Sequence, residues 1–257
     1  MKTLLLAGLS ILPLVAHADT VLLNETFPDA RRNRQNPPDS VAWYSSSKTG
    51  GMAVQKGCIK IIDVTNSAKH AIAYFTPENE PIKLAKGQKL TLSFEMTPRS
   101  EIGVGTNSMR FGFFHADADG SRAFTADGVN PEDSRAKGYV GCLNIKSPGV
   151  SNLSIFKRKD SGRLLTNSYA YTALRHGTSS GPIHRDQTYK VNMTLSRATE
   201  SLIQIEVQLT GSDNGADSRA SYTDTSEIFD TFDLIGFSIF NSISAADFSN
   251  VKITLSE

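Results

Sequence analysis

Hydrophobic side chains recur at every second position along much of this chain. From Lys89 to Met96, Leu90, Leu92, Phe94 and Met96 fall on one side, and Thr91, Ser93 and Glu95 on the other. The segment Tyr189–Leu195 repeats the pattern with Tyr189, Val191, Met193 and Leu195 against Lys190, Asn192 and Thr194. Leu202–Leu209 does so again, with Ile203, Ile205, Val207 and Leu209 opposite Gln204, Glu206 and Gln208. A two-residue period places one face of an extended strand on a core and the other in water. No window of a dozen residues keeps the i, i+3, i+4, i+7 spacing of an amphipathic helix. Further strands are expected at Ile59–Val64, Ala71–Phe75, Met109–His115, Tyr139–Ile145, Leu153–Arg158, Leu234–Phe240 and Val251–Leu255.

Between these segments lie "TGG", "SPGVSN", "HGTSSGP" and "GSDNGADSRAS", clusters of Gly, Pro, Asn, Asp and Ser that favour turns. Short strands separated by turns, without helices between them, predict an all-β, antiparallel β-sandwich of the jelly-roll type. The Pro-rich segment Phe27–Ser40, with Arg31, Arg32 and Arg34, reads as a surface crossing or an interaction loop, the crossing being the preferred reading. No internal repeat interrupts this plan, and a single domain is expected over 19–257.

The first 18 residues depart from the alternation. Lys2, an apolar run broken by Pro13, and Ala16-His17-Ala18 have the order of a signal peptide with its cleavage site. The run is too short to span a bilayer, so the mature protein is expected to be secreted or periplasmic, without membrane insertion. The 27 Lys and Arg residues are balanced by 26 Asp and Glu, a net charge of +1. Nucleic acid selects a basic surface, so none is expected as partner. Cys58 and Cys142 fit either one disulfide, which export permits, or two buried thiols.

Three segments together resemble the concanavalin A-like jelly-roll superfamily of lectin, laminin-G-like and glycan-active domains. They are "LLNETFPDARRNRQNPPDSVAWYSS", "MRFGFFHADADGS" and "FDLIGFSIFNSISAADFSNVKITLSE". The resemblance implies a polysaccharide partner on a concave sheet and, in many members, a structural calcium ion. The paired acidic strand of its glycoside hydrolases is absent: Glu95 and Glu206 each stand singly on separate strands. Its alginate-lyase-like members use Tyr and His as acid and base, with Arg, Asn or Gln against the uronate charge. Their motifs survive here only as Arg110 in "SMR" and His184 in "GPIHR".

Proton abstraction beside a carboxylate needs a base, an acid and a cation, which His, Tyr and Arg provide. Arg110 shares a strand face with Gly112 and Phe114, opposite Met109, Phe111 and Phe113. An unpartnered buried Arg is costly, so the Arg110 side is expected to be open. Tyr139, His184, Arg185 and Tyr189 complete the candidate catalytic set, weighed against a salt-bridged Arg, a core Tyr and an exposed loop His. For substrate contact, Trp43 and Tyr44 offer aromatic faces and Lys190 and Asn192 a polar strand face, while Trp43 also suits a core anchor. For calcium, Asp117 and Asp119 before Gly120 fit either the start of a binding loop or a hairpin turn. Glu25 and Asp247 at the two chain ends form a second candidate. No transition-metal spacing occurs and no cofactor is required. The reading reached is a stand-alone polysaccharide lyase, monomeric, acting on an acidic glycan by β-elimination. A carbohydrate-binding protein without catalysis and an adhesive envelope protein are its alternatives.

Overall fold

The structure is a computed structural model. It describes residues 19–48, 50–63, 69–116, 122–128, 135–147, 149–159, 164–165, 170–211, 216–240 and 242–257. Every regular element among these is a β-strand. No helix among them is long and apolar enough to cross a membrane. Residues 1–18, read as a signal peptide, and Asp117 and Asp119 lie outside the described residues.

Two antiparallel sheets face one another. The first runs in the order β14 (Asp217–Asp224), β13 (Leu202–Gly211), β12 (Tyr189–Thr199), β7 (Lys89–Pro98), β17 (Ala245–Ser256), β4 (Cys58–Ile62), β3 (Met52–Gln55), and β1 (Thr20–Glu25) also pairs with β17. The second runs β11 (Tyr171–Ser180), β10 (Val150–Arg158), β9 (Lys137–Ser147), β8 (Gly105–His115), β16 (Leu234–Ile239), β5 (Lys69–Tyr74), β2 (Trp43–Ser45). A two-stranded ribbon, β6 (Ile82–Lys83) with β15 (Thr231–Phe232), stands apart from both.

The alternation read along β7, β12 and β13 is the inner face of the eight-stranded sheet: Leu92, Met193 and Val207 stand in register and are fully buried. The seven-stranded sheet meets them with Phe111, Phe113, Leu143, Ile155 and Phe237. Phe94 sits at the junction, its ring 5.1 Å from Phe111 and 4.8 Å from Phe237, both edge-on. Trp43 stacks on Phe237 at 5.9 Å. Each such buried side chain contributes about 1.5–3 kcal/mol of apolar transfer free energy.

The two sheets decide three points that the sequence leaves open. Cys58 and Cys142 form no disulfide, because one lies on β4 of the first sheet and the other is fully buried on β9 of the second. Glu95 and Glu206 are kept apart by β12, since Glu95 pairs with Lys190 and Glu206 with Thr194. Lying two strand spacings apart, roughly 10 Å, and four residues out of register, they cannot serve as a retaining pair. Gly112 leaves no room for a sugar: a side chain there would meet the backbone of Tyr139 and Val140, so the glycine serves the close approach of β8 and β9.

Candidate functional site

A polar row crosses the outer face of the seven-stranded sheet. His70, Ser238, Arg110, Cys142, Ser154 and His176 stand in register on β5, β16, β8, β9, β10 and β11. Alternation produces it, since each of the five strands from β5 to β10 sends its neighbouring apolar residues inward at this level. One pleat further along lies an apolar row, Ile72, Gly236, Gly112, Val140 and Phe156.

The apolar part of this outer face is covered. Leu164 and Leu165, with Ala116, Phe124 and Ala136, pack on Ile72, Tyr74, Phe114, Val140 and Leu234 as a second hydrophobic cluster. Leu165, at a positive φ of 65°, projects over Gly236, where an added Cβ would lie 2.7 Å from its Cδ1. Its carbonyl accepts hydrogen bonds from Arg110 Nη1 at 3.0 Å and Ser238 Oγ at 3.3 Å. Arg110 is therefore only 4% exposed, against the expectation of an open face. The strap formed by Leu164 and Leu165 closes it.

Arg110 has no carboxylate partner among the described residues. Its guanidinium carbon lies 5.1 Å from the centre of the Tyr171 ring, and the Tyr171 hydroxyl accepts the Leu165 N–H at 2.8 Å. Burial raises the Tyr171 phenol above its ordinary value, although Arg158 and Arg110 pull the other way. Burial likewise pushes the Cys142 thiol up to about 11, with Arg110 opposing. At the far end of the row, Asn144 Nδ2 donates to Ser154 Oγ at 3.0 Å, and Ser154 Oγ lies 2.9 Å from His176 Nδ1. The Ser154 hydroxyl thus links Asn144 to the exposed His176 imidazole through Nδ1.

The predicted catalytic set is not brought together. Tyr139 points inward, on the face opposite Arg110, because Arg110 pairs with Cys142, three residues away and of opposite parity. Its hydroxyl donates to Asp224 Oδ2 at 2.7 Å and accepts the Phe229 N–H at 3.1 Å. Burial, with Asp224 alongside, holds that phenol far above its ordinary value. Tyr189 is also a core residue, its hydroxyl taken by the His184 N–H at 2.7 Å. His184 and Arg185 line a separate cavity of about 280 Å³ at the end of the sandwich with Glu101, Ile102, Val104 and Ile183. There Arg185 pairs with Glu101 at 2.9 Å and Asp186 at 3.2 Å. Lys190 and Asn192 belong to the other sheet and face outward from it.

Two of the calcium candidates, Glu25 and Asp247, are engaged with other groups. Glu25 is buried, accepting the Phe27 N–H at 2.8 Å and the Val41 N–H at 3.2 Å. Burial raises its carboxyl, partly offset by these bonds. Asp247 pairs with Arg99 at 2.6 Å. No group of three His, Cys, Asp or Glu side chains suited to a metal occurs among the described residues.

An open cavity of about 350 Å³ lies beside β2, lined by Arg32, Asn33, Ala42, Trp43, Tyr44, Thr125, Ala126 and Asp127. Trp43 reaches it from the core, and Tyr44, half-buried, packs on the second cluster. Asp127 holds its wall: Oδ1 accepts the Ser45 N–H at 2.9 Å, and Oδ2 pairs with Arg32. Asn33, Thr125 and Asp127 did not stand out in the sequence, and nothing there tied the loop of Arg32 to the loop about 90 residues away that completes the cavity. Only the Arg-rich loop signalled this region.

No family model matches the sequence, and no curated protein matches it by sequence. In fold it is similar to the metal-free carbohydrate recognition domain of Emp46p, with a TM-score of 0.51 and 10% identity over 92% of this chain and 95% of that one. It is similar also to basic winged bean lectin with Tn-antigen, with a TM-score of 0.50 and 9% identity over 90% and 96%. A mutant of alginate lyase Aly36B in complex with an alginate tetrasaccharide aligns at a TM-score of 0.47 and 14% identity over 90% and 95%. The fold is the concanavalin A-like jelly roll. At such identities the likeness is one of architecture, and sites have to be argued from this chain's own residues.

Proposed function

We propose that this is an exported glycan-recognising protein that binds saccharide on the outer face of the seven-stranded sheet, without needing catalysis. The observation that carries this reading is the open cavity beside β2, where an aromatic residue meets a guanidinium, an amide, a hydroxyl and a carboxylate. Sugar rings present apolar C–H faces and hydroxyl edges, and that mixture of groups matches both. The dispersal of Arg110, Tyr139 and His184 over three environments supports binding over proton transfer. Affinity electrophoresis of the full chain through gels containing neutral and acidic polysaccharides tests it. Retardation by at least one polysaccharide is expected, and migration unchanged in all of them overturns the reading.

A second reading, β-elimination on a uronate glycan, is favoured by one contact: Arg110, without a carboxylate partner among the described residues, facing Tyr171. There Arg110 would clamp the uronate carboxylate while the Tyr171 phenol moves the proton, once a ligand has replaced the Leu165 carbonyl. Absorbance near 235 nm reports the unsaturated product. A rise abolished by Tyr171→Phe supports this reading, and no rise on any acidic polysaccharide removes it.

A further inference from the structure

The polar groups around the cavity beside β2 keep hydrogen-bonding capacity in hand, even where two of them pair with each other. Arg32 carries five N–H donors, of which one is directed at Asp127, and its side chain is 36% exposed. Asp127 offers about four acceptor positions and accepts from Arg32 and Ser45. The side chains of Asn33, Tyr44 and Thr125 make no hydrogen bond with the described residues. Donors and acceptors thus share a space at the small end of ligand-site sizes. The charges cancel, because the one cation of the lining is paired with its one carboxylate.

From this we infer that the cavity is a subsite for a single neutral hexose ring. Tyr44 takes an apolar face of the sugar, Asp127 and Arg32 together grip a pair of vicinal hydroxyls, and Asn33 and Thr125 complete the edge. A carboxylate accepts from one hydroxyl while a guanidinium donates to its neighbour, a pattern suited to diols. A uronate is disfavoured at the same place: its carboxylate faces Asp127 and competes with it for Arg32. The assignment rests on the glycan-recognition reading and narrows it to a ligand class at a named site.

The chain has a single tryptophan, and Trp43 lines the cavity, so its fluorescence is a local reporter. The full chain is titrated with D-glucose, D-galactose and D-mannose, then with D-glucuronate and D-galacturonate, and saturation-transfer NMR serves as a second readout. At least one neutral sugar is expected to bind saturably, and its uronate more weakly. Asn33→Leu and Thr125→Val each remove one hydrogen-bonding edge without touching the core, and each is expected to weaken binding by about tenfold. Lys252→Gln, exposed on β17 of the other sheet, is expected to leave it unchanged. Absence of saturable binding by both readouts, preference for the uronate, or unaltered binding in both cavity variants overturns the subsite. Retardation by a polysaccharide together with any of those results keeps the glycan reading and removes only the subsite. Absence of retardation as well removes both.

Discussion

Lys157 Nζ lies 2.6 Å from Asp224 Oδ2, joining β10 of one sheet to β14 of the other. Both side chains are almost fully buried, and Tyr139 donates to the same carboxylate oxygen. Lys157 also donates to the Ser226 carbonyl and lies 4.8 Å from the Phe229 ring centre. A buried ion pair of this kind is held by its full set of hydrogen bonds, and losing one partner strands the other in an apolar setting.

Lys157→Met is accordingly expected to lower stability by about 3–5 kcal/mol, read from urea denaturation. The double variant Lys157→Met with Asp224→Leu is expected to cost less than the sum of the two single changes, because it leaves no stranded charge. Additive losses would show that the two groups act independently.

The same carboxylate sets an acid limit. Burial alone would raise the Asp224 carboxyl, but hydrogen bonds from Lys157 and Tyr139 outweigh it and hold the group below its ordinary value of 3.8. A carboxyl depressed in the folded state contributes stability that is complete above its unfolded value and is lost as pH falls through the folded one. Asp224→Asn is expected to flatten this part of the acid limb of the stability curve, measured as urea midpoints between pH 5 and pH 2. A limb identical to that of the parent would exclude Asp224 as a contributor.

Tyr139→Phe separates structure from chemistry. It removes a buried hydroxyl that bonds Asp224 and the Phe229 N–H, at an expected cost of about 1–3 kcal/mol. Retardation in polysaccharide gels is expected to stay at the parent level, since Tyr139 lies between the sheets. Loss of glycan binding in a variant that melts cooperatively would place Tyr139 in the site after all.

Thiol chemistry checks the cysteine assignment. Denatured without reductant, the protein is expected to titrate as two thiols. In the native state Cys58, half-buried, reacts first, while Cys142 is protected by burial and by a thiol pushed up to about 11. Gly236→Ala, which presses a methyl group against Leu165, is expected to speed the modification of Cys142 by lifting the strap. Protection unchanged in that variant would mean that the strap does not control access to the row.

Calcium at 1 mM or an excess of EDTA is expected to leave Tm unaltered, because Glu25 and Asp247 are engaged by Phe27, Val41 and Arg99. A calcium-dependent rise, with free ion stabilising by mass action, would direct attention to Asp117 and Asp119.

The sandwich was legible where the buried face of a strand is apolar, as in β7, β12 and β13. It was illegible in β11 and β14, the edge strands. β11 is exposed or half-exposed along its whole length, so "YTALRHGTSS" carries no apolar alternation and its end reads as a turn. β14 does bury one face, but with Ser218, Ala220 and Asp224 on it, so no apolar alternation marks the strand inside the Asp, Ser and Gly cluster where it begins. The site failed for a different reason. Which face of β8 carries Arg110 followed from alternation, and Met109, Phe111 and Phe113 do lie in the inner core. Whether Tyr139 shares that face depends on the register between β8 and β9, which a single strand does not encode. Burial of the outer face depends on Leu164 and Leu165, two residues of the β10–β11 connection whose place over the sheet no strand pattern encodes.

A two-layer sandwich leaves each sheet one surface on which mutation is cheap and new specificities can drift in. Here the Leu164–Leu165 strap turns the molecule locally into three layers, and much of that surface becomes interior, subject to the packing constraints of any core. Positions 32, 33, 125 and 127 escape the constraint, since they line a cavity and not a layer. Variation among descendants of this chain is therefore expected to concentrate at the rim beside β2, while the row through Arg110 changes slowly.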